Sequence, residues 1–194
     1  MRTISAFAVI LTGICLLPSV EAKDIIRDKS PDGKFALRVI EDEMGGRAAI
    51  IDLKSKVDVV ELEIYQNYTE QAHLVWSKDS QRVAYFEPHR RGGNTTVYFR
   101  NGDTFEEVEL PELPQCKNPP ANKELHHVKT VESAAAPKKW LSSGALVLNV
   151  RSEDLMENEA ETEQTGQTCS QDVTIAFDAN HKASVRGVKQ IRSD

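Results

Sequence analysis

The feature that most constrains this chain is a series of short β-branched and aromatic runs separated by turn residues. In the run at 35–40, Phe35, Leu37 and Val39 stand at every second position, which is the periodicity of a strand with one buried face. Turn dipeptides such as Asn101-Gly102 stand between runs and favour tight hairpins. The pattern predicts an antiparallel all-β domain of about 9–11 strands. The predicted strands lie at 35–40, 47–53, 57–62, 74–76, 83–86, 95–100, 105–110, 145–150, 173–177 and 183–188.

Two segments interrupt this pattern and a third is ambiguous. Residues 111–121 carry four prolines around Cys116, which predicts an irregular loop or crossover because proline cannot donate to a strand ladder. Residues 152–171 are polar and acidic, which predicts a long hairpin loop. Residues 122–135 space their aliphatic side chains by three, as a short helix would, but their β-branched content favours a strand.

One layout, a polar turn followed by an apolar strand, recurs three times along the chain. In each copy Ser or Asp can hydrogen-bond the turn backbone, and Gly or Ser can take the strained position. A tryptophan precedes the turn in the second and third copies, where it would anchor the hairpin in the core. The copies are residues 30–37, 76–85 and 140–148.

These copies resemble the blades of TolB-like or WD-type β-propellers. TolB-like repeats carry Trp-Ser-Pro-Asp-Gly-Lys before an apolar strand. The first copy matches over 30–34 but has Lys29 in place of the aromatic residue. The second has Lys78 for proline and Ser80 for glycine, and the third keeps Trp140 and a Ser-Gly turn. The resemblance implies four-stranded blade-like sheets, a non-catalytic binding role and a location in a bacterial periplasm.

The number of copies limits the architecture. Closed propellers typically have about four to eight blades, and this chain has room for about three. We therefore expect an incomplete β-propeller-like stack of two or three sheets, or one β-sandwich built from them. An unrelated β-sandwich with ordinary hairpins is the alternative.

The N-terminus has the three-part pattern of a secretory signal peptide. Met1-Arg2 supplies the positive start, residues 4–17 are uncharged and apolar, and compact residues occupy the −3 and −1 positions before Lys23. The pattern predicts a signal peptide over 1–22 and a single exported domain over 23–194, periplasmic or extracellular. A retained anchor is the alternative, but the apolar stretch is shorter than the roughly 20 residues that span a bilayer. No second run of membrane length follows in the sequence.

The cysteines predict one disulfide. Cys15 lies in the predicted signal peptide, which leaves Cys116 and Cys169 in the mature chain. An even pair in an exported protein most simply forms a bridge, worth roughly 4 kcal/mol in the chain-entropy model. Two free thiols or a metal site are the alternatives, although no Cys or His pair at short ligand spacing supports a metal.

The charge distribution points to one candidate binding site. A net charge of −6 argues against nucleic acid or an anionic membrane as partner, because both repel a negative surface. Against that background His89, Arg90, Arg91 and Asn94 surround a Gly pair in a predicted hairpin tip. Arginines beside backbone donors suit an anionic group, here on another envelope protein or polymer. A solvated turn is the alternative.

No catalytic motif stands out. The sequence has no Gly-x-Ser-x-Gly elbow, His-Glu-x-x-His motif or phosphate loop. Adjacent His126 and His127 would point to opposite faces of a strand, and the acidic segment lacks calcium-loop spacing, so we expect no metal and no cofactor. The sequence favours a non-catalytic binding module. A structural subunit that completes its sheet by association, and a secreted hydrolase, are the alternatives.

Overall fold

The computed structural model describes residues 23–42, 45–65, 68–116, 125–158 and 164–191, and the predicted signal peptide lies outside them. Within these ranges the chain has twelve strands and no helix, which confirms the predicted all-β class. Accordingly, the described ranges contain no helix that could cross a membrane. The strands are β1 (Lys23–Arg27), β2 (Phe35–Asp42), β3 (Gly45–Asp52), β4 (Asp58–Leu62), β5 (His73–Trp76), β6 (Arg82–His89), β7 (Gly92–Asn101), β8 (Thr104–Val108), β9 (Leu125–Trp140), β10 (Leu146–Asn158), β11 (Gln164–Phe177) and β12 (Ala183–Ile191).

The strands form three consecutive four-stranded antiparallel sheets, which we call sheet I (β1–β4), sheet II (β5–β8) and sheet III (β9–β12). Within each sheet, every strand pairs with the next strand along the chain. Sheet I stands alone, whereas sheets II and III join into one eight-stranded sheet. This is the blade-like arrangement that the repeat predicts.

Sheets II and III meet at a short parallel contact. Gly92 and Gly93, at the start of β7, pair with Ser133 and Ala134 of β9, while the other half of β7 pairs with β8. The Ser133 N–H also donates to the carbonyl oxygen of Arg91 at 2.9 Å. This contact fixes the beginning of β7 against sheet III.

Two apolar clusters lie between the sheets, because alternate residues of a strand point to opposite faces. Sheet II contributes to both clusters: Val83 and Tyr85 pack with sheet I, whereas Ala84 packs with sheet III. Sheet II is therefore the middle layer of three. The first cluster holds Phe35, Leu37, Val39, Ala48, Ile50, Leu62, Ala72, Leu74, Val83, Tyr85 and Tyr98, and the second holds Ala84, Val97, Phe99, Val108, Leu146, Leu148, Val150, Val173 and Ile175.

The sequence repeat is the first hairpin of each sheet. Ser30 and Ser77 each donate a hydroxyl hydrogen bond, 2.6 Å long, to the aspartate two residues later. Each also accepts the N–H of the residue five positions later. Gly33, Ser80 and Gly144 occupy the equivalent positive-φ position of the three turns. In sheets I and II the side chains of the repeat thus cap the backbone of their own turn, and in all three sheets the repeat places a positive-φ residue there.

A fourth turn of this geometry joins β11 to β12, and the sequence analysis missed it. The Asp178 carboxylate accepts the N–H groups of Asn180 and Lys182 at 2.8 and 2.9 Å. Phe177 precedes it at the tryptophan position of the other copies, and His181 takes the positive φ. Histidine at that position hid the copy, although His is among the residues that tolerate it.

The predicted acidic loop over 152–171 is wrong for most of its length. β10 continues to Asn158 and β11 begins at Gln164, and the two strands pair throughout. Every second residue of this part of β10 is buried, namely Ser152, Asp154 and Met156. Polar composition suggested a loop, but the period-two burial is that of a strand.

The remaining predictions had mixed outcomes. The ambiguous segment is strand from Leu125 onward, and the chain has no regular structure over 111–116, as predicted. The turn after β7 is centred one residue later than expected, because Asn101 pairs with Thr104 and the positive φ falls on Gly102. Strand β1 was not predicted, since its residues do not alternate clearly between apolar and polar.

The predicted disulfide is confirmed: it joins Cys116 to Cys169 of β11, with Cα atoms 5.7 Å apart. Two side chains of sheet III hold the same irregular segment. Gln171 donates to the carbonyl of Pro114 at 2.6 Å, and Ser152 donates to the carbonyl of Cys116 at 3.2 Å. The segment after β8 is thereby fastened to sheet III.

Candidate functional site

The predicted binding residues form the tip of the β6–β7 hairpin. β6 ends at His89 and β7 begins at Gly92, so Arg90 and Arg91 make a two-residue connection. Both arginines are exposed, and His89 Nδ1 accepts the N–H of Arg91 at 3.3 Å. Asn94 is exposed near the start of β7. The structure therefore brings the four predicted residues to one end of sheet II.

The two glycines of the tip are required by close packing. Gly92 has a φ of 130°, and a Cβ there would overlap the carbonyl oxygen of Ser133. A Cβ at Gly93 would overlap the ring of Phe86. From the sequence we expected the Gly pair to leave its backbone donors uncovered for a ligand, but β9 pairs with this backbone. The tip is therefore braced from behind, and its side chains carry any recognition.

The charged side chains of the tip are available. The guanidinium groups of Arg90 and Arg91 have no hydrogen-bond or ion-pair partner in the part of the chain that the structure describes. On β6, burial raises the pKa of Glu87, Glu63 raises it further, and His89 lowers it. The tip therefore presents two uncompensated positive charges on an otherwise acidic protein.

Two other arginines of sheet II are fully engaged instead. Arg100, with only 8% of its side chain exposed, pairs with Asp32 of sheet I at 2.8 Å and lies 4.6 Å from the Phe35 ring centroid. Arg82 donates to the carbonyl of Gly144, in sheet III, at 2.7 Å. These arginines hold neighbouring sheets together.

The same turn network lowers the pKa values of two carboxyl groups. Burial acts to raise the pKa of Asp32, but hydrogen bonds from Ser30, Lys34 N–H and Arg100 outweigh it, and the pKa lies below its usual value. A hydrogen bond from Ser77 is the main cause of the lowered pKa of Asp79. Both carboxylates are thus stabilised in their charged form by the folded turns.

A cleft of about 500 Å³ lies along β9 and β10, beyond the Gly92–Ser133 contact. Within it, Thr130 Oγ1 donates to Asp154 Oδ1 at 2.8 Å, and His127 Nε2 lies 3.5 Å from the same oxygen. Sequence reasoning missed Asp154, because it falls in the segment predicted as a loop. The cleft is lined by Gln115, Cys116, His127, Thr130, Ser133, Ser152 and Asp154.

Comparisons with known proteins do not identify a family for this chain. No protein-family model and no curated protein matches the sequence. The structure is similar to that of TolB from Acinetobacter baumannii, with 10% sequence identity and a TM-score of 0.32. The match covers 86% of this chain and 43% of the TolB chain, so the chain spans less than half of that protein. The blade-like architecture rests on the strand pairing described above and not on this match.

Proposed function

We propose that the protein is an exported, non-catalytic binding module that captures an anionic group of another envelope protein or polymer at the tip 89–94. The observation that carries the proposal is a pair of exposed arginines, Arg90 and Arg91, on a hairpin braced by β9; neither has a partner among the described residues. Each guanidinium group can bind a carboxylate, phosphate or sulfate through two N–H donors. Export is supported by the signal-peptide pattern over 1–22.

Two physical effects support binding at this tip. Because the tip backbone is ordered before binding, less interaction energy is lost to ordering it. The net charge of −6 repels anions elsewhere, so the local positive charge would direct an anionic partner to the tip. Binding should consequently weaken as salt screens the charges.

Elution from immobilised dextran sulfate in a salt gradient tests the proposal. The Arg90→Ala/Arg91→Ala double variant should elute at clearly lower salt than the parent protein. The matched control is Lys54→Ala/Lys78→Ala, which removes two exposed positive charges from other turns and should elute close to the parent. Equal shifts for the two double variants would show that net charge, and not the tip, governs retention.

A second candidate function, structural self-association, is favoured by one observation at the edge of sheet III. β12 is exposed along 184–191, and Val185 and Val188 are 36% and 47% exposed. In a two-fold antiparallel pairing of two copies, Val185 would oppose Val188 and Arg186 would oppose Gly187, which places no like charges opposite. Sedimentation should then show a dimer that Val188→Lys dissociates. A monomeric parent would exclude this candidate.

A further inference from the structure

A buried carboxylate lies in the cleft of sheet III, away from the tip. Asp154 is only 7% exposed, and burying a charge is unfavourable unless a partner compensates it. Its neighbours Thr130 and His127 both approach Oδ1. No hydrogen bond from the described ranges reaches the second carboxylate oxygen. Among the described residues that line the cleft, His127 is the only one whose side chain can carry a positive charge, and that side chain is 52% exposed.

Two of the three hydroxyl groups that line the described cleft, those of Thr130 and Ser152, have already used their protons inside the protein. Thr130 donates to Asp154, and Ser152 donates to the carbonyl oxygen of Cys116. A hydroxyl has one proton and two lone pairs, so these side chains offer only acceptors to a ligand. Together with the second oxygen of Asp154, these two hydroxyls make a cluster of acceptors with one negative charge, whereas Ser133 and Gln115 in the same lining can donate as well as accept. The complement of the acceptor cluster is a cation that donates hydrogen bonds.

We propose that this cleft binds a primary ammonium group, carried by a small amine or by a lysine side chain. An ammonium group has one positive charge, three donors and no acceptor, which matches the acceptors around Asp154. A metal fits less well. Zinc needs about four ligands and calcium about six to eight oxygens. The described ranges contain no group of three His, Cys, Asp or Glu side chains able to hold a metal.

Amide NMR titration with n-butylammonium chloride tests this site directly, with n-butanol as the neutral control. The signals of Thr130, Ser133 and Asp154 should shift, with a dissociation constant in the millimolar range expected for about five heavy atoms. Asp154→Asn should weaken binding at least about tenfold. The matched control, Glu153→Gln, removes the same charge from the next residue on β10, which is outside the cleft lining, and should bind like the parent.

A second variant separates an ammonium site from a metal site and does not depend on the folding of Asp154→Asn. His127→Ala removes the group that competes for Asp154, so ammonium binding should persist or tighten, whereas a metal site would lose a ligand and weaken. A Gly-Gly-Lys-Gly-Gly peptide that binds more tightly than n-butylammonium would identify a lysine side chain as the source, and the reverse order a small amine. Equal shifts with n-butanol, or binding of Ca²⁺ or Zn²⁺ without the amine, would overturn the proposal. Either result leaves the tip proposal untouched.

Discussion

The two ends of sheet II use the same residue type in opposite ways. At the turn end, Arg82 and Arg100 reach into sheets III and I and are held there by a carbonyl, a carboxylate and an aromatic ring. At the tip end, Arg90 and Arg91 project from the hairpin, and no hydrogen-bond partner faces them within the described ranges. An arginine is thus structural where neighbouring sheets supply its partners and available for binding where they do not.

The backbones of the two ends are nevertheless both fixed, by different means. At the turn end, the Ser77 hydroxyl accepts the N–H of Arg82. In the adjoining β1–β2 turn of sheet I, which we count with the turn end, the Ser30 hydroxyl accepts the N–H of Phe35 in the same way. The tip end is fixed by the parallel contact of Gly92 with Ser133, which admits no side chain at Gly92. The difference predicts that the two ends respond differently to substitution.

The largest expected effect is on the tip backbone. Gly92→Ala forces a Cβ into the Ser133 carbonyl, so we expect the free energy of unfolding in urea to fall by about 3 kcal/mol or more. Gly33→Ala is the control at the turn end, because it also has a positive φ but open space around it, and should cost about 1–2 kcal/mol. Equal losses would mean that β9 does not brace the tip.

The disulfide should give the next largest effect. It lies on the same row of paired residues as the tip, since Ser133 pairs with Ser152 and Ser152 with Cys169. The Cys116→Ser/Cys169→Ser variant should lose about 2–4 kcal/mol of unfolding free energy. Ser152→Ala, which removes one hydrogen bond to the same segment, should lose only about 1 kcal/mol. Alkylation of both thiols in the native, unreduced protein would contradict the bridge.

Arginine substitutions compare the two ends directly. Arg100→Ala removes an ion pair whose guanidinium group is nearly buried, together with a cation–π contact, so the unfolding free energy should fall by about 1–3 kcal/mol. Arg90→Ala/Arg91→Ala should change it by less than about 0.5 kcal/mol. Both are read from urea denaturation midpoints at constant m-value. A destabilised double variant would show that the tip arginines have structural partners.

The smallest expected effect is on acid stability at the turn end. The lowered pKa values of Asp32 and Asp79 stabilise the folded protein above the ordinary carboxyl pKa of about 3.9, and this contribution is lost as pH falls through the folded values. Since both groups are partly exposed, the pair should contribute no more than about 1 kcal/mol. Unfolding of Asp32→Asn/Asp79→Asn should therefore depend less steeply on pH between about 5 and 2. An unchanged slope would contradict the role of these turns.

Local chemistry made the turn end predictable from the sequence. Ser30 and Ser77 bond within their own turns, so residue type and spacing carried the information. The fourth turn was missed only because His181 stands at the glycine position, and Phe177 before it was the available signal. The four tip residues were found in the same way, from a local run of basic residues beside glycines.

Contacts between segments far apart in the chain could not be predicted from the sequence. The brace of Gly92 against Ser133 joins residues of different sheets, so the Gly pair was read as open backbone instead of packed backbone. The cleft depends on Asp154 facing Thr130 across a strand pair with register shifts, and no pattern along the chain encodes that register. Acidic composition at 152–171 also concealed the period-two burial that defines the strands there.

Side-chain NMR of the arginines tests the central claim most directly, since it compares the two ends in one sample. The ¹⁵N-{¹H} NOE of the Nε–Hε groups reports their mobility on the fast timescale. We expect high values for Arg82 and Arg100, low values for Arg90 and Arg91, and a rise for the latter two alone when a short dextran sulfate is added at low salt. Values for Arg90 and Arg91 as high as that of Arg100 before any ligand is added would contradict the account.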